Sequence, residues 1–239
     1  KTGDPNWHTH LGIMTLPIMM AVKFDIKLFF YGEHGFMNLG GMHSYNDLVE
    51  FTRKYRTEHM CRGFDWPDFV EETEGVTEQD FWWAKYPSDE EIEEKDIRGI
   101  FISNYFGWRQ HEHMRLIEEL YAFEPYAVPF DRTYCRYSSL NDMHDNGLHD
   151  YLKYIKFGYG RASDHVCRGI RNGLMTREEG IEMVRQYDDV EPGDIARWLD
   201  YVGWTRTQFR EVADSFRDPR VWVKNEYGQW MKDHIWDHE

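Results

Sequence analysis

The stretch Leu11–Gly35, LGIMTLPIMMAVKFDIKLFFYGEHG, decides the fold class. Its first part, residues 11–24, predicts a buried helix, with Pro17 tolerated near a first turn or at a kink because proline has no backbone N–H to donate. Ile26–Tyr31 is a short apolar run closed by Gly32, which reads as a fully buried strand. Helix, strand and glycine loop together make half of an α/β layer. Residues 32–44 carry four glycines and read as a loop, with Ser44 placed to cap a helix over residues 45–56. Residues 62–95 are acidic and aromatic, with short helices expected at 77–85 and 88–94, and Arg98–Tyr105 (RGIFISNY) reads as a second buried strand.

Beyond residue 107 the apolar period becomes helical. Leu116, Ile117, Leu120 and Tyr121 mark one stripe, and Leu148, Tyr151, Leu152 and Ile155 another. Thr176 with Glu179 forms a capping box before Ile181 and Val184, and Ile195, Trp198, Leu199 and Val202 form the next stripe. Thr205 with Gln208 caps a last helix whose apolar face is Phe209, Val212, Ala213 and Phe216. The expected fold class is α/β, with a few-stranded portion over residues 1–107 and a mainly helical region over 108–239. Trp82, Trp83, Trp108 and Trp222 read as core and helix-packing residues.

The 239 residues carry a formal charge of −15, with 41% hydrophobic and 17% aromatic residues, so the chain has ample core-forming surface. An acidic surface is ill suited to a duplex phosphate backbone, which argues against nucleic acid as a partner. The longest apolar stretch, Leu11–Val22, is broken by Gly12, Thr15 and Pro17 and falls well short of the roughly 18 residues a membrane span needs. Cys61, Cys135 and Cys167 are odd in number and far apart, which predicts neither a disulfide framework nor a thiolate zinc site and suggests a reducing, cytoplasmic compartment. The chain opens at Lys1 without a leader, so a chain cut at its N-terminus is expected.

Three groups of residues offer chemistry. Gly32-Glu33-His34-Gly35 follows the first strand, where open α/β sheets bind ligands, and the alternative is a tight turn with a solvated pair. Lys153–Arg171 holds five basic residues against the single acid Asp164, an island of positive charge in an acidic chain that would attract a phosphorylated small molecule. Within it, Gly158-Tyr159-Gly160-Arg161 precedes a helix starting near Ala162, whose N-terminal N–H groups favour anions. The alternative there is an ordinary solvated basic face. Third are the histidines. His8 and His10 could share a metal from a strand but point roughly 200° apart on a helix, so a structural or substrate-contacting role is expected. His111 and His113 fall at a predicted helix start, which disfavours a shared metal, and no metal site is expected. Leu39–Ser44, LGGMHS, only imitates a phosphate loop, since it lacks the leading Ser and the Asp.

Across almost its whole length the chain resembles the N-acetyl sugar amidotransferases of bacterial surface-polysaccharide and flagellin-glycan biosynthesis. The matching segments include GDPNWHTHLGI, LFFYGEHG, LGGMHSYNDLVEFTRKYR, WAKYPSDEE, GIFISNY, PFDRTYCRYSSLNDMHDNGLHDYLKYIKFGYGRASDHVCRGIRNG, MTREEGIEMVRQYD and DPRVWV. The resemblance implies a partial Rossmann-like layer of the pyrophosphatase-loop (PP-loop) ATP enzymes followed by a helical extension. It also implies ATP-dependent conversion of a sugar acetamido group to acetamidino, as in glycans of the pseudaminic or legionaminic acid type. The amide oxygen would be adenylated with release of pyrophosphate, and ammonia from a glutaminase partner would then displace AMP, with Mg2+ stabilising phosphate charge. By the same resemblance Gly32, Glu33, His34 and Gly35 would border the adenylate or acetamido group, Glu33 and His34 as catalytic residues. Lys156, Gly158, Tyr159, Gly160, Arg161, Asp164 and His165 would hold phosphates of ATP or of an activated N-acetyl sugar.

Two departures stand out. The family's Ser-Gly-Gly-x-Asp-Ser loop occurs nowhere in this sequence, and Asn6 and Thr9 stand where related members carry cysteines near the GDP segment. The absent loop predicts that this polypeptide handles ATP poorly by itself, as if roughly the first third of a member were missing. Two other readings follow, a non-catalytic module that docks a glutaminase subunit and a PP-loop tRNA-modifying enzyme. The acidic charge and the lack of a cysteine pair for sulfur relay weigh against the second.

Overall fold

A computed structural model describes residues 2–32, 50–107, 109–137 and 144–238. The chain is mixed α/β and mostly helical, and it divides into two compact units, residues 7–123 and residues 1–6 with 124–239.

In the unit of residues 7–123, α1 (Trp7–Phe24) starts four residues earlier than the apolar run suggested. Trp7, Leu11, Met14, Thr15, Ile18 and Ala21 are buried, the helical period written along one face. Pro17 consequently lies inside the helix, where it leaves the Ile13 carbonyl without its usual N–H partner. The Tyr31 hydroxyl donates to that carbonyl across 3.4 Å, so the strand supplies a donor where proline removes one. β1 (Leu28–Tyr31) runs parallel to β3 (Arg98–Phe101), with Leu28 opposite Arg98 and Tyr31 opposite Phe101, while β2 (Glu50–Phe51) pairs antiparallel on the other side of β3.

Among the described residues β1 lies at the edge of the sheet, and its exposure corrects the expectation that it is fully buried. Tyr31 is covered and Phe29 half-covered, but Leu28 and Phe30 are exposed, Phe30 at 60%. Two predicted strands thus pair in parallel, as an α/β layer requires, but the described sheet has only three strands. The predicted second strand also stops at Phe101, and Ile102–Asn104 turns into a short 3₁₀ segment.

The helix expected over residues 45–56 begins outside the described residues. Within them Glu50–Phe51 is strand, followed by a helical turn at Arg53–Tyr55 and a π-helical segment at Arg56–Met60. The helices expected at 77–85 and 88–94 are present as a 3₁₀ segment at Glu78–Ala84 and as α3 at Asp89–Glu94, the latter capped by Ser88 and Glu91, and a further helix that the sequence reading did not anticipate, α2 (Trp66–Glu72), precedes them. Trp83 is partly buried, whereas Trp82 is 60% exposed and is not a core residue, because the 3₁₀ segment turns it outward. Trp108 lies outside the described residues. α4 (Gln110–Tyr121) completes the unit.

Arg56 organises this unit. Its side chain is fully buried and forks onto Asp65 at 2.7 and 2.9 Å, while Nε donates to Thr15 of α1 and Nη2 to the Ala84 carbonyl. Asp65 is in turn the N-cap of α2.

The second unit carries α5 (Asn146–Phe157), α6 (Arg161–Arg171), α7 (Arg177–Tyr187), α8 (Asp194–Val202), α9 (Arg206–Asp214) and a small hairpin of β4 (Val223–Lys224) and β5 (Trp230–Met231). Leu148, Leu152, Ile155, Ile195, Leu199, Phe209 and Ala213 form one core, with Tyr151 and Trp198 packed on it, so the stripes of α5, α8 and α9 meet each other, although Val212 of the last face is exposed. The first predicted stripe is not a core face, since Leu116, Leu120 and Tyr121 of α4 are exposed. Both capping boxes, Thr176 with Glu179 and Thr205 with Gln208, are present.

Where α8 meets α5, Asp194 accepts a hydrogen bond from the Gly147 N–H at 2.8 Å. Burial pushes its carboxyl up to about 6, the Gly147 bond opposes this, and Asp131, Asp145 and Asp150 add to it. A carboxyl raised in the folded state leaves stability intact below its unfolded value and removes it as pH rises through about 6. Asp194→Asn should therefore gain about 1–2 kcal/mol at pH 8, after allowance for solvent screening, and nothing at pH 4. Urea titrations at the two pH values check this.

Candidate functional site

Two regions carry the residues singled out by sequence, one in each unit. In the unit of residues 7–123, Gly32 leaves the carboxyl end of β1 at a shallow open cleft shared with Gly12, Ile13, Leu16, Pro17 and Tyr31. Glu33, His34 and Gly35 lie outside the described residues. His8 and His10 sit in the first turns of α1, which removes the strand geometry that would let them share a metal. His8 is exposed and contacts the Thr9 hydroxyl at 3.3 Å. His111 and His113 stand on α4, as the predicted helix start required.

The helical unit holds the other predicted residues together. Gly158 closes α5 in the left-handed region, at φ +76°, and its N–H donates to the Tyr154 carbonyl at 2.7 Å. Gly160 is the N-cap of α6 and is pressed on both sides, since a Cβ there would lie 2.7 Å from Arg132 Nη2 and 2.9 Å from Asp188 Oδ1. Two turns of chain are thus joined with room only for glycine.

The N-terminus of α6 already holds an anion, the carboxylate of Asp188. Asp188 is buried and accepts from the Gly160 N–H at 2.9 Å, the Ser163 N–H at 3.1 Å and the Ser163 hydroxyl at 2.6 Å. This corrects the expectation of free N–H groups there. The helix dipole and orphan donors draw negative charge as predicted, and a side chain 28 residues away supplies it.

Two of the segment's cations, Arg161 and Lys153, are likewise drawn inward. Arg161 pairs with buried Asp150 at 2.8 Å and lies 3.7 Å from Asp164, which also holds the Lys153 ammonium. Burial lowers the Lys153 pKa, with Asp164 opposing. His165 is buried, with Nδ1 2.7 Å from the Thr133 hydroxyl, and burial together with Arg161 and Arg168 pushes it down to about 3. It is therefore a neutral imidazole at physiological pH. Arg132, missed by the sequence reading, is fully buried against the faces of Tyr151 and Tyr154 and donates to the Val190 carbonyl. Nothing in its local sequence, PFDRTYC, separates it from a surface arginine.

Lys156 lies toward the C-terminal end of α5 near the Phe157 ring, and Tyr159 is partly exposed with the Lys153 ammonium 4.5 Å from its ring centre. Tyr159 and Gly158 also line a cavity of about 380 Å³ bounded by α6, α7 and residues 232–236. Val166, Ile170, Ile181 and Val184 give it an apolar floor, and Arg177, Arg185, Lys232 and Asp189 stand around it. Of the predicted residues, Arg161, Asp164 and His165 are thus gathered in the buried polar network, and Gly158 and Tyr159 in the cavity wall.

Among the described residues no group of three or more His, Cys, Asp or Glu side chains is arranged to hold a metal ion, and no helix is long and apolar enough to cross a membrane. The three cysteines are free thiols. No curated protein matches the chain. Residues 131–235, a little under half of the chain, match the model of the C-terminal domain of the WbpG-like LPS biosynthesis proteins, a similarity that supports a polysaccharide-biosynthesis family for the helical unit that carries the cavity.

Proposed function

We propose that the chain serves lipopolysaccharide or related surface-glycan biosynthesis as the synthetase component of an N-acetyl sugar amidotransferase. The observation that carries this reading is the similarity of residues 131–235 to an LPS-biosynthesis C-terminal domain, in the unit where a partly open cavity adjoins Gly158 and Tyr159. The reaction would convert an acetamido group to acetamidino in the cytoplasm, with ammonia drawn from a glutaminase partner. Gly32, Glu33, His34 and Gly35 would border the reacting acetamido group, with His8 and His10 as substrate contacts.

ATP and Mg2+ are the cofactors this reading implies. A triphosphate does not fit the N-terminus of α6, because Asp188 takes the Gly160 and Ser163 N–H groups and Asp150 and Asp164 hold Arg161 and Lys153. The helical unit accordingly serves the sugar, and its polar network fixes the α5–α6 turn that walls the cavity.

The test is AMP release by the full protein that carries these residues, mixed with its glutaminase partner, ATP, ammonium and UDP-N-acetylglucosamine. Release that requires both the N-acetyl sugar and ammonium is the expected result. Tight association with the glutaminase without AMP release would instead support the docking-module reading, which the absence of a Ser-Gly-Gly-x-Asp-Ser loop from these residues favours.

A further inference from the structure

We propose that residues 232–237 are a hinged lid over the groove between α6 and α7, anchored at the β4–β5 hairpin and latched by Trp236 on Arg185, so that this segment opens and closes the cavity beneath it. The lid does not depend on what the cavity holds, whereas its service as the gate of a sugar site rests on the amidotransferase reading.

The groove is built by close helix approach. Gly180 of α7 faces Val166 of α6, where a Cβ would lie 2.5 Å from Val166 Cγ1. Val166, Ile170, Ile181 and Val184 line the cavity with aliphatic groups, a surface that water favours covering. Lys232, His234, Ile235 and Trp236 supply the cover, yet they leave about 380 Å³ beneath them. A segment that belonged to the core would fill that space, because protein interiors are close-packed.

The segment is attached differently at its two ends. At the first, Val223 pairs with Met231 and Lys224 with Trp230, and the Lys232 stem packs on the α5–α6 turn, where a Cβ at Gly158 would lie 3.3 Å from Lys232 Cδ. At the far end the turn closes on itself. The His234 N–H donates to the Asp237 carboxylate at 2.7 Å, and the Asp237 N–H donates to the His234 carbonyl at 3.0 Å. Trp236 reaches α7 by stacking, with the Arg185 guanidinium 4.9 Å from its ring centre and His234 on the ring at 4.4 Å. Arg185 also pairs with Glu182 of its own helix at 2.9 Å, so it keeps a partner when the lid lifts. Around the mouth Glu182, Asp189, Asp233 and Asp237 offset Arg177, Arg185 and Lys232, which leaves little net field to hold the lid shut. No residue from Lys232 to Asp237 is buried, and a segment with few buried contacts opens at low cost while the helices beneath stay folded.

Val166→Cys in a Cys167→Ser background places a thiol of similar size on the cavity floor, at a position only 5% exposed. Its N-ethylmaleimide labelling in the intact chain is read by peptide mass spectrometry, with hydrogen exchange of α5 reporting the opening of the whole unit. Adding Trp236→Ala should speed labelling about tenfold and leave α5 exchange unchanged. Adding Arg185→Met should speed it about two- to fivefold, the worth of an exposed cation–π contact, while Arg185→Lys should stay close to the parent rate. Equal labelling with and without Trp236→Ala would overturn the lid, as would labelling that accelerates only in step with α5 exchange. Faster labelling in Trp236→Ala, with no sugar-dependent AMP release by the full protein, would support the lid and defeat the amidotransferase reading. AMP release with labelling unaffected by Trp236→Ala would do the reverse.

Discussion

Arg56→Ala should cost about 3–5 kcal/mol, with the loss falling first on the unit of residues 7–123. The guanidinium is fully buried and ties four pieces of chain together: α1 through Thr15, the π-helical segment that carries Arg56 itself, the α2 cap through Asp65 and the 3₁₀ segment through the Ala84 carbonyl. Truncation leaves Thr15 without its donor, the Ala84 carbonyl without that hydrogen bond, and a void beside Tyr86, over whose ring the guanidinium lies at 5.2 Å. Arg56→Lys should recover only part of the loss, because an ammonium cannot fork onto both Asp65 oxygens while also reaching Thr15 and Ala84. Because the chain has two units, urea unfolding need not follow a single transition. Hydrogen exchange resolved by peptide is the suitable measurement, with faster opening expected in α1 and residues 53–84 of the variant.

Arg56 also marks the limit of what the sequence discloses. The stripes of α5, α8 and α9 were legible because each repeats at the helical period, and their apolar residues could bury themselves only against one another. The capping boxes at Thr176 and Thr205 were legible because partner and cap lie three residues apart. The parallel strands were legible as apolar runs, but the exposure of Phe30 was not, since it depends on how many strands lie beside β1. Arg56 pairs with Asp65 across nine residues and Asp188 with Gly160 across 28, separations at which no local period operates. For the same reason the basic run Lys153–Arg171 looked like a phosphate trap. Asp150 and Asp188, which hold Arg161 and the helix terminus, lie outside the run and join it only in three dimensions, and the run's own Asp164 is spent on Lys153.

Asp188→Ala is the second large effect, again about 3–5 kcal/mol, now in the helical unit. It removes three hydrogen bonds at the start of α6, leaves the Gly160 N–H buried without an acceptor, and takes a negative charge away from buried Arg132. Asp188→Asn keeps one acceptor oxygen and should cost about 1–2 kcal/mol, the range of a lost charged hydrogen bond. Because the α5–α6 turn forms a wall of the cavity, Asp188→Ala should also weaken sugar binding even below its unfolding midpoint. Hydrogen exchange resolved by peptide over residues 146–187 under increasing denaturant reads the stability change in this unit.

On the proposed function the face between α6 and α7 receives the sugar, while the N-terminus of α6 is sealed by Asp188. Peptide-resolved hydrogen exchange of the intact chain with saturating UDP-N-acetylglucosamine tests it most directly. Slowed exchange in residues 163–170, 177–185 and 232–236 is the predicted result. Unchanged exchange in those segments, with slowing elsewhere in the chain, would contradict it.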